Sequence, residues 1–292
     1  MSHHHHHHTT NNIKIAFLLN FSFTLLEIIG GLWTNSVAIL SDALHDLGDT
    51  VALGLSWYLA NVSQKKRDNQ FSYGYKRFSL IGALISSIIL LLGSVIILSE
   101  AIPRLFHPEK VYVEGMVLFA IIGVLVNGGA ALRLRGGKTQ NERVVMLHML
   151  EDALGWVAVL VASVVMLFVN LPVLDPILSV AITLYILWNV FKNLRETVNV
   201  FLQAIPSNIN IGQLEAKLLK ELPIRSIHDW HLWTMDGEYH VVSFHIVVAN
   251  NLLAENIIKL KQQAREFLKQ HNIQHLTIEI EYEQEFCELV NC

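Results

Sequence analysis

Six long apolar segments occupy the first two thirds of this chain and limit the folds that it can adopt. A helix needs about 20 apolar residues to cross the roughly 30 Å of hydrocarbon in a bilayer. The composition agrees, because 52% of the 292 residues are hydrophobic and only 16% are charged, which is typical of membrane proteins. We predict a six-helix transmembrane domain over residues 11–204, with spans at 13–34, 37–61, 78–100, 112–133, 144–170 and 173–194.

The basic residues of the predicted loops indicate the orientation of the spans. The loops 63–77 and 133–143 are rich in Lys and Arg, whereas 34–36 and 170–172 contain neither. Positively charged loops remain in the cytoplasm, so both termini are predicted to be cytoplasmic. No cleavable signal precedes the first span, and the lack of a targeting signal favours a bacterial inner membrane.

Three further features of the sequence narrow the possible functions. Residues 1–10 include six consecutive histidines and have the composition of an expression tag, so we exclude them from every metal argument. The net charge of −4 argues against a nucleic-acid partner. Cys287 and Cys292, in a predicted tail over 286–292, are the two cysteines of the sequence, so no disulfide framework is expected.

After Pro206 the composition becomes that of a soluble protein, and we predict a second, cytoplasmic domain over 205–285. Hydrophobic periodicity and turn residues define its elements. The predicted helices are 211–221 and 253–270, and the predicted strands are 224–235, 239–248 and 274–282. The order helix, strand, strand, helix, strand gives a small α+β domain with a three-stranded sheet.

Two of the apolar segments each contain a histidine and an aspartate four residues apart, His45 with Asp49 and His148 with Asp152. Four residues advance about 400° around a helix, so each pair lies on one face, about one turn apart. Ionisable groups at bilayer depth are costly and usually mark an ion or proton path. Two imidazoles and two carboxylates suit tetrahedral Zn²⁺, and we predict that these four residues form one zinc site.

Further acidic residues lie near these pairs. Asp42 shares the face of His45, and we predict that it orients the site by accepting a hydrogen bond from a ligand. Asp46 lies about 100° away from His45 on the helix, as Glu151 does from Asp152. We expect Asp46 and Glu151 to face a cavity or a neighbouring helix.

Two more intramembrane carboxylates give weaker signals. Asp175 precedes Pro176, a combination that favours a helix start, so Asp175 is predicted to cap the sixth helix. Glu27 in the first span could serve either helix packing or the hydration of a pathway, and the sequence leaves that choice open.

The second domain contains a second set of possible metal ligands. His228 and His245 lie on adjacent predicted strands, and His275 and Glu281 lie at or in the third, so a mixed histidine and carboxylate site on the sheet is feasible. The alternative is a set of solvated surface histidines. Cys287 and Cys292 are spaced more widely than common zinc-ligand pairs, and the alternative there is a tail with reduced thiols.

Four stretches together resemble the cation diffusion facilitator family of zinc transporters, and the likeness covers almost the whole chain. They are Ser41–Asp49, His148–Asp152, Asp175–Ile177 and His228–Trp233. The resemblance implies a homodimer in which each protomer has its own transmembrane zinc site. It also implies a ferredoxin-like, metallochaperone-like cytoplasmic domain that contributes to dimerisation, and an exchange of zinc for protons.

The resemblance also assigns ligands at matching positions of this sequence. The residues that match the transport site are His45, Asp49, His148 and Asp152. Those that resemble cytoplasmic metal ligands are His228, His245, His275 and Glu281, and Cys287 and Cys292 resemble the tail cysteines of some vesicular relatives. The loop 133–143 lacks the histidines that many relatives have there, and 68–77 lacks those that bind a further ion in some members.

The sequence therefore predicts a secondary transporter in the lipid bilayer that exports Zn²⁺ from the cytosol in exchange for H⁺, with Cd²⁺ and Co²⁺ as further candidate substrates. Zinc could also be regulatory in the second domain. A membrane-embedded zinc hydrolase is one alternative, but the sequence lacks the His-Glu-x-x-His motif common in such enzymes. A metal sensor or a passive channel is another, which measurements of proton-driven flux would distinguish.

Overall fold

The computed structural model describes residues 6–134, 140–285 and 287. Two compact units are present, one formed by residues up to Asn61 and Ile81–Leu194, the other by Val62–Leu80 and residues from Arg195 onward. The second unit thus includes the loop between the second and third helices, which the sequence alone places with the membrane domain. The predicted boundary between residues 204 and 205 stays a prediction.

The first unit contains six long helices, and all six predicted spans are helical. They are α1 (His6–Thr34), α2 (Val37–Ser63), α3 (Phe78–Phe106), α4 (Val113–Leu134), α5 (Gln140–Phe168) and α6 (Leu174–Phe201). Among the described residues, four helices are long and apolar enough to cross a membrane, namely α3, α4, α5 from Met146 and α6. The count of six spans stays a prediction.

A buried tryptophan of α5 packs closely against α4. The Trp156 ring lies against Gly123, where an added Cβ would be 2.1 Å from Trp156 Cδ2. Small residues allow membrane helices such close approach. Phe23 of α1 packs edge-on against the same ring. The apolar cluster around it comprises Ile39, Met116, Ala120, Val159 and Met166, so α2, α4 and α5 share one core.

The first turn of α2 is held by a carboxylate from α6. Asp175 accepts hydrogen bonds from the backbone N–H of Val37 at 2.8 Å and of Ala38 at 3.3 Å, and from the Ser36 hydroxyl. The first amides of a helix lack partners within the helix and favour a negative charge. The prediction that Asp175 caps its own helix, α6, is therefore wrong: it satisfies the amides of a neighbour.

The second unit has the predicted order of elements. They are α7 (Ile211–Glu221), β1 (Ser226–Thr234), β2 (His240–Val248), α8 (Ala254–Gln270) and β3 (Ile273–Tyr282). The sheet order is β1-β2-β3, with β1 and β2 antiparallel and β2 and β3 parallel. At the predicted hairpin turn, Asp236 Oδ1 accepts from the N–H groups of Glu238 and Tyr239.

The two faces of this sheet have different neighbours. Successive side chains of a strand point to opposite faces, and Val242, Phe244 and Ile246 of β2 lie in the core with residues of α7 and α8. His245 therefore lies on the other face. One end of that face is covered by the loop between α2 and α3, which belongs to the same unit. In that loop, the Tyr73 ring lies 5.3 Å from the His275 ring.

Candidate metal centres

Helices α2 and α5 place three of the four predicted transport ligands around one point. Asp49 Oδ2 lies 3.0 Å from His148 Nε2 and 3.9 Å from His45 Nε2. The two imidazole rings are 6.1 Å apart between centroids. The donor atoms of His45, Asp49 and His148 all lie within 4.8 Å of one another. One carboxylate oxygen of α2 thus faces an imidazole from each helix.

The fourth predicted ligand, Asp152, lies beside this group. Its Oδ2 is 3.8 Å from His148 Nε2, and its side chain is 5% exposed. Zinc bonds of about 2.0–2.2 Å in a tetrahedron set donor atoms about 3.3–3.6 Å apart, so these spacings are close to what a shared ion needs. His45 Nδ1 is buried without a hydrogen-bond partner in the described part of the chain, whereas Asp49 Oδ2 lies against His148 Nε2.

A cavity of about 260 Å³ adjoins the group and reaches α6. Its lining includes Asp42, His45 and Asp152, together with Glu151 and Tyr185. The Tyr185 hydroxyl donates a hydrogen bond to Glu151, which links α6 to α5. Glu151 therefore faces a cavity and a neighbouring helix, as expected. Asp42 lies at the cavity but makes no hydrogen bond to His45 Nδ1, so its orienting role stays a prediction.

A second group of donors lies on the helix-free face of the sheet in the second unit. Its members are His228, His245, Glu281 and Cys287, whose donor atoms lie within 4.8 Å of one another; we call it the cytoplasmic cluster. His228 and His245 are paired across β1 and β2. Glu281 Oε1 lies 2.7 Å from His245 Nδ1, and Glu281 Oε2 lies 3.4 Å from His228 Nε2.

A β-bulge in β1 adds a carboxylate next to this cluster, which the sequence analysis did not identify. The register of β1 shifts between His228 and His231, and Asp229 in the bulge has a φ of 52°. Aspartate is among the few residues that tolerate this left-handed conformation. Asp229 Oδ2 lies 3.5 Å from His245 Nε2, and Asp229 Oδ1 lies 3.0 Å from His231 Nε2.

The structure changes two of the predicted cytoplasmic assignments. His275 shares a sheet face with Glu281 but lies six residues earlier on β3, about 20 Å away along a strand, where it contacts Tyr73; it does not join the cluster. Cys287, predicted only as a tail ligand with Cys292, instead lies with its Sγ 3.6 Å from His245 Nδ1. Cys292 lies outside the described residues.

The surroundings of Glu281 favour an ionised ligand. Burial raises the pKa of this carboxyl, but hydrogen bonds with the Cys287 thiol and His245, and the nearby imidazole of His228, outweigh burial and hold the pKa below its usual range. An ionised carboxylate, an imidazole and a thiol together form a donor set that suits zinc. The cluster could therefore hold a metal ion.

Comparison with known proteins assigns both parts of the chain to one family. The family model for the cation efflux transmembrane domain matches residues 13–202, and that for the cation efflux protein cytoplasmic domain, a dimerisation domain, matches residues 206–283. The chain belongs to the cation efflux family. As a cation efflux protein it is a multi-pass membrane protein, and the family consists of transporters rather than enzymes.

Relatives of similar length support this assignment to the cation efflux family. A "Cadmium, cobalt and zinc/H(+)-K(+) antiporter" from Bacillus velezensis is 32% identical over 288 residues, 96% of this chain and 92% of the relative. "Zinc transporter ZitB" from Escherichia coli is 31% identical over 287 residues, 97% of this chain and 90% of the relative. "Metal cation efflux system protein CzcD" from Cupriavidus metallidurans is 29% identical over 284 residues, 96% and 89% respectively. The relatives are thus named as a zinc transporter, a metal cation efflux protein and an antiporter for cadmium, cobalt and zinc.

Proposed function

We propose that this protein exports Zn²⁺ from the cytosol in exchange for protons, and that the ion is carried by His45, Asp49, His148 and Asp152. The observation that carries this proposal is the position of Asp49 Oδ2, which lies 3.0 Å from His148 Nε2 on the facing helix. The names of the relatives, which include a zinc transporter and an antiporter, support both the substrate and the exchange. Cd²⁺ and Co²⁺ are further candidate substrates, because the name of one relative includes cadmium and cobalt.

The chemistry of the ligands couples zinc to protons. Zinc binds neutral imidazole and ionised carboxylate, so its binding releases protons and protonation of the same groups expels it. Histidine is suited to this exchange because its ordinary pKa of about 6.5 lies near physiological pH. Because the ligands belong to two helices, a relative movement of α2 and α5 would separate them. Such a movement could expose the site to each side of the membrane in turn.

The setting that we propose is a homodimer in a bacterial inner membrane, with six spans and both termini in the cytoplasm. The basic loops 63–77 and 133–143 support this orientation. The match of residues 206–283 to a family of dimerisation domains supports the dimer. The order helix, strand, strand, helix, strand supports a ferredoxin-like, metallochaperone-like cytoplasmic domain.

We further propose that the cytoplasmic cluster binds zinc as a regulatory ion. Its donors come from three strands and the segment after β3, so a bound ion would fix that segment against the sheet. This site does not need to release its ion during each transport cycle. Its ligands are His228, His245, Glu281 and Cys287.

Flux measurements with the purified full chain in liposomes test the transport function. A zinc-sensitive dye and a pH-sensitive dye inside the vesicles would report zinc entry and proton exit. We expect saturable zinc uptake that is faster with an acidic lumen. Asp49→Asn and His148→Ala should weaken zinc transport about 100-fold or more, because even residues that only support metal ligands cost 10–100-fold.

His107→Ala provides a matched control, since His107 is exposed at the end of α3 and should leave transport unchanged. Zinc uptake without any change of internal pH would contradict the exchange. Unchanged transport in Asp49→Asn would contradict the site. Transport of zinc at a rate that does not saturate would indicate a channel instead of a carrier.

A further inference from the structure

The loop between α2 and α3 concentrates positive charge in a short segment of the second unit. Residues 63–77 contain five basic residues, Lys65, Lys66, Arg67, Lys76 and Arg77, and one acidic residue, Asp68. Basic loops are common in membrane proteins because they set the orientation of the spans, so the composition alone assigns no ligand. The folded shape of this loop provides the further evidence.

The acidic residue of the loop is already engaged within it. Asp68 Oδ1 accepts hydrogen bonds from the backbone N–H of Gln70 at 2.8 Å and of Phe71 at 2.9 Å. Asp68 Oδ2 accepts one from the Tyr75 hydroxyl at 2.7 Å. Both carboxylate oxygens therefore hold the shape of the loop, and this single carboxylate leaves the loop with a net positive charge.

A glycine brings the two ends of the loop together. Gly74 has a φ of 75°, a conformation that glycine adopts readily. A Cβ at Gly74 would lie 2.9 Å from the backbone oxygen of Lys65 and 3.2 Å from the backbone nitrogen of Arg67. Arg77 follows three residues later, at most about 11 Å along the chain. The backbones of Arg67 and Arg77 therefore lie within roughly 15 Å of each other.

Two of the five basic side chains have partners on the protein. Lys65 Nζ lies 5.8 Å from the centre of the Tyr75 ring. Lys76 Nζ lies 4.4 Å from the centre of the Tyr239 ring and 3.9 Å from Asp236 Oδ2. These contacts hold Lys65 and Lys76 within the second unit.

The other three basic residues, Lys66, Arg67 and Arg77, form no ion pair with a residue that the structure describes. Lys66 and Arg67 are exposed, and Arg77 is half-buried. Arg77 Nε is buried without a hydrogen-bond partner among the described residues. A buried donor without an acceptor is unfavourable, so an oxyanion at Arg77 would satisfy a donor that the chain itself leaves unused.

The position of Arg77 along the chain indicates which oxyanion is near. Arg77 directly precedes α3, which is long and apolar enough to cross a membrane. With 29 residues, α3 is about 44 Å long, which matches the roughly 40–45 Å of a bilayer with its headgroup regions. The first turn of α3 and Arg77 should therefore lie at the level of the lipid headgroups.

An aromatic group at the same place supports this depth. The rings of Phe71, Tyr75 and Phe78, the first residue of α3, pack on one another with centroids 4.6, 5.2 and 5.6 Å apart. Aromatic rings are enriched at membrane–water interfaces because they combine an apolar body with a preference for the headgroup region.

We propose that Lys66, Arg67 and Arg77 bind the phosphate headgroup of an anionic phospholipid. Arginine suits this role, because its planar guanidinium can donate two parallel hydrogen bonds to a phosphate. Basic residues that adjoin a membrane span attract anionic lipids. The proposal depends on the membrane placement of α3 and not on zinc transport.

Native mass spectrometry of the purified full chain in detergent tests this proposal, with phosphatidylglycerol and phosphatidylcholine titrated separately. We expect saturable retention of phosphatidylglycerol at concentrations at least about tenfold below those that phosphatidylcholine needs. The triple variant Lys66→Gln/Arg67→Gln/Arg77→Gln should lose this preference, because each basic residue near an anionic lipid contributes about fivefold to binding.

A matched control removes three positive charges elsewhere in the second unit. The triple variant Lys259→Gln/Lys261→Gln/Arg265→Gln neutralises exposed residues of α8 and should retain phosphatidylglycerol as the wild type does. Arg77→Lys keeps the charge but not the paired guanidinium donors, so it should bind with intermediate strength. This milder variant tests the site even where the triple loop variant unfolds.

Three results would overturn the proposal. Equal retention of both lipids by the wild-type chain would show that the loop only orients the spans. Retention of inorganic phosphate in place of phosphatidylglycerol would indicate a site for a free anion. Equal loss in the α8 variant would show that net charge, and not this loop, holds the lipid. A failure of zinc transport would leave the lipid result unchanged.

Discussion

The Asp175 carboxylate of α6 and the backbone N–H of Val37 form a 2.8 Å hydrogen bond that joins α6 to the first turn of α2. Asp175 is fully buried, so its loss would leave backbone amides without an acceptor. We expect Asp175→Ala to lower the stability of the membrane unit by about 1–3 kcal/mol. Asp175→Asn, which keeps an acceptor but no charge, should cost less. Thermal unfolding in detergent measures the stability of both variants and of the wild type. Equal melting temperatures for the three proteins would contradict this role.

Gly123 lets the backbone of α4 lie close to the Trp156 ring. Because a Cβ there would lie 2.1 Å from Trp156 Cδ2, Gly123→Ala must displace the Trp156 ring or move α4 away from α5. Overpacking of this kind typically costs about 1–3 kcal/mol. Gly129→Ala is the matched control on the same helix, since nothing lies within 4 Å of its added Cβ and alanine favours helix. Thermal unfolding should separate the two variants, and equal destabilisation would contradict the packing argument.

Cys287 should give the cytoplasmic cluster a spectroscopic signature. Cobalt bound at the cluster should show a thiolate charge-transfer absorption, because Cys287 Sγ lies 3.6 Å from His245 Nδ1. Cys287→Ser should remove that absorption and weaken metal binding at the cluster, while zinc transport through α2 and α5 continues. His275→Ala serves as the control and should keep the absorption. An unchanged spectrum in Cys287→Ser would exclude the thiol as a ligand.

His240 should make the second unit less stable in acid. Burial lowers the pKa of this imidazole, and the nearby Asp236 carboxylate offsets only part of that effect. The folded chain then binds fewer protons at His240 than the unfolded chain does. Its contribution to stability is present above the ordinary pKa of about 6.5 and is lost as the pH falls through the lower folded value.

Thermal unfolding in the presence of a chelator, at several pH values from neutral to mildly acidic, checks this expectation. The loss of stability on acidification should be smaller in His240→Gln than in the wild type, whereas His107→Gln should behave like the wild type. An identical pH dependence in His240→Gln would show that other groups cause the acid sensitivity. The chelator keeps metal release from the cytoplasmic cluster out of the comparison.

Local patterns in the sequence predicted the second unit well. The helix 211–221 has the predicted bounds, because its apolar residues are regularly spaced along the sequence. The sequence also predicts a turn between the strands at Asp236 and Gly237, because both residue types favour turns. Gly237 has a φ of 94°, and Asp236 accepts the amides that follow it.

Contacts between distant segments were harder to predict. Nothing next to Asp175 shows that its carboxylate reaches Val37, 138 residues away. The ion pair between Lys76 Nζ and Asp236 Oδ2, at 3.9 Å, likewise joins a loop to a domain far along the chain. The absence of His275 from the cluster, by contrast, was predictable. Six residues of extended strand separate it from Glu281 by about 20 Å, which is too far for both to bind one ion.

The position of Cys287 bears on how the cytoplasmic cluster could exchange its ion. After β3 the chain makes a turn in which Glu285 N–H donates to Tyr282 O, and Cys287 lies six residues after Glu281. The entropy cost of closing so short a loop is small, so Cys287 has a high effective concentration at the cluster. Its thiolate can therefore leave and rebind while His228, His245 and Glu281 stay on the sheet. In the proposed zinc-bound cluster, such a tethered fourth ligand would give an incoming chelator an open position without unfolding the domain.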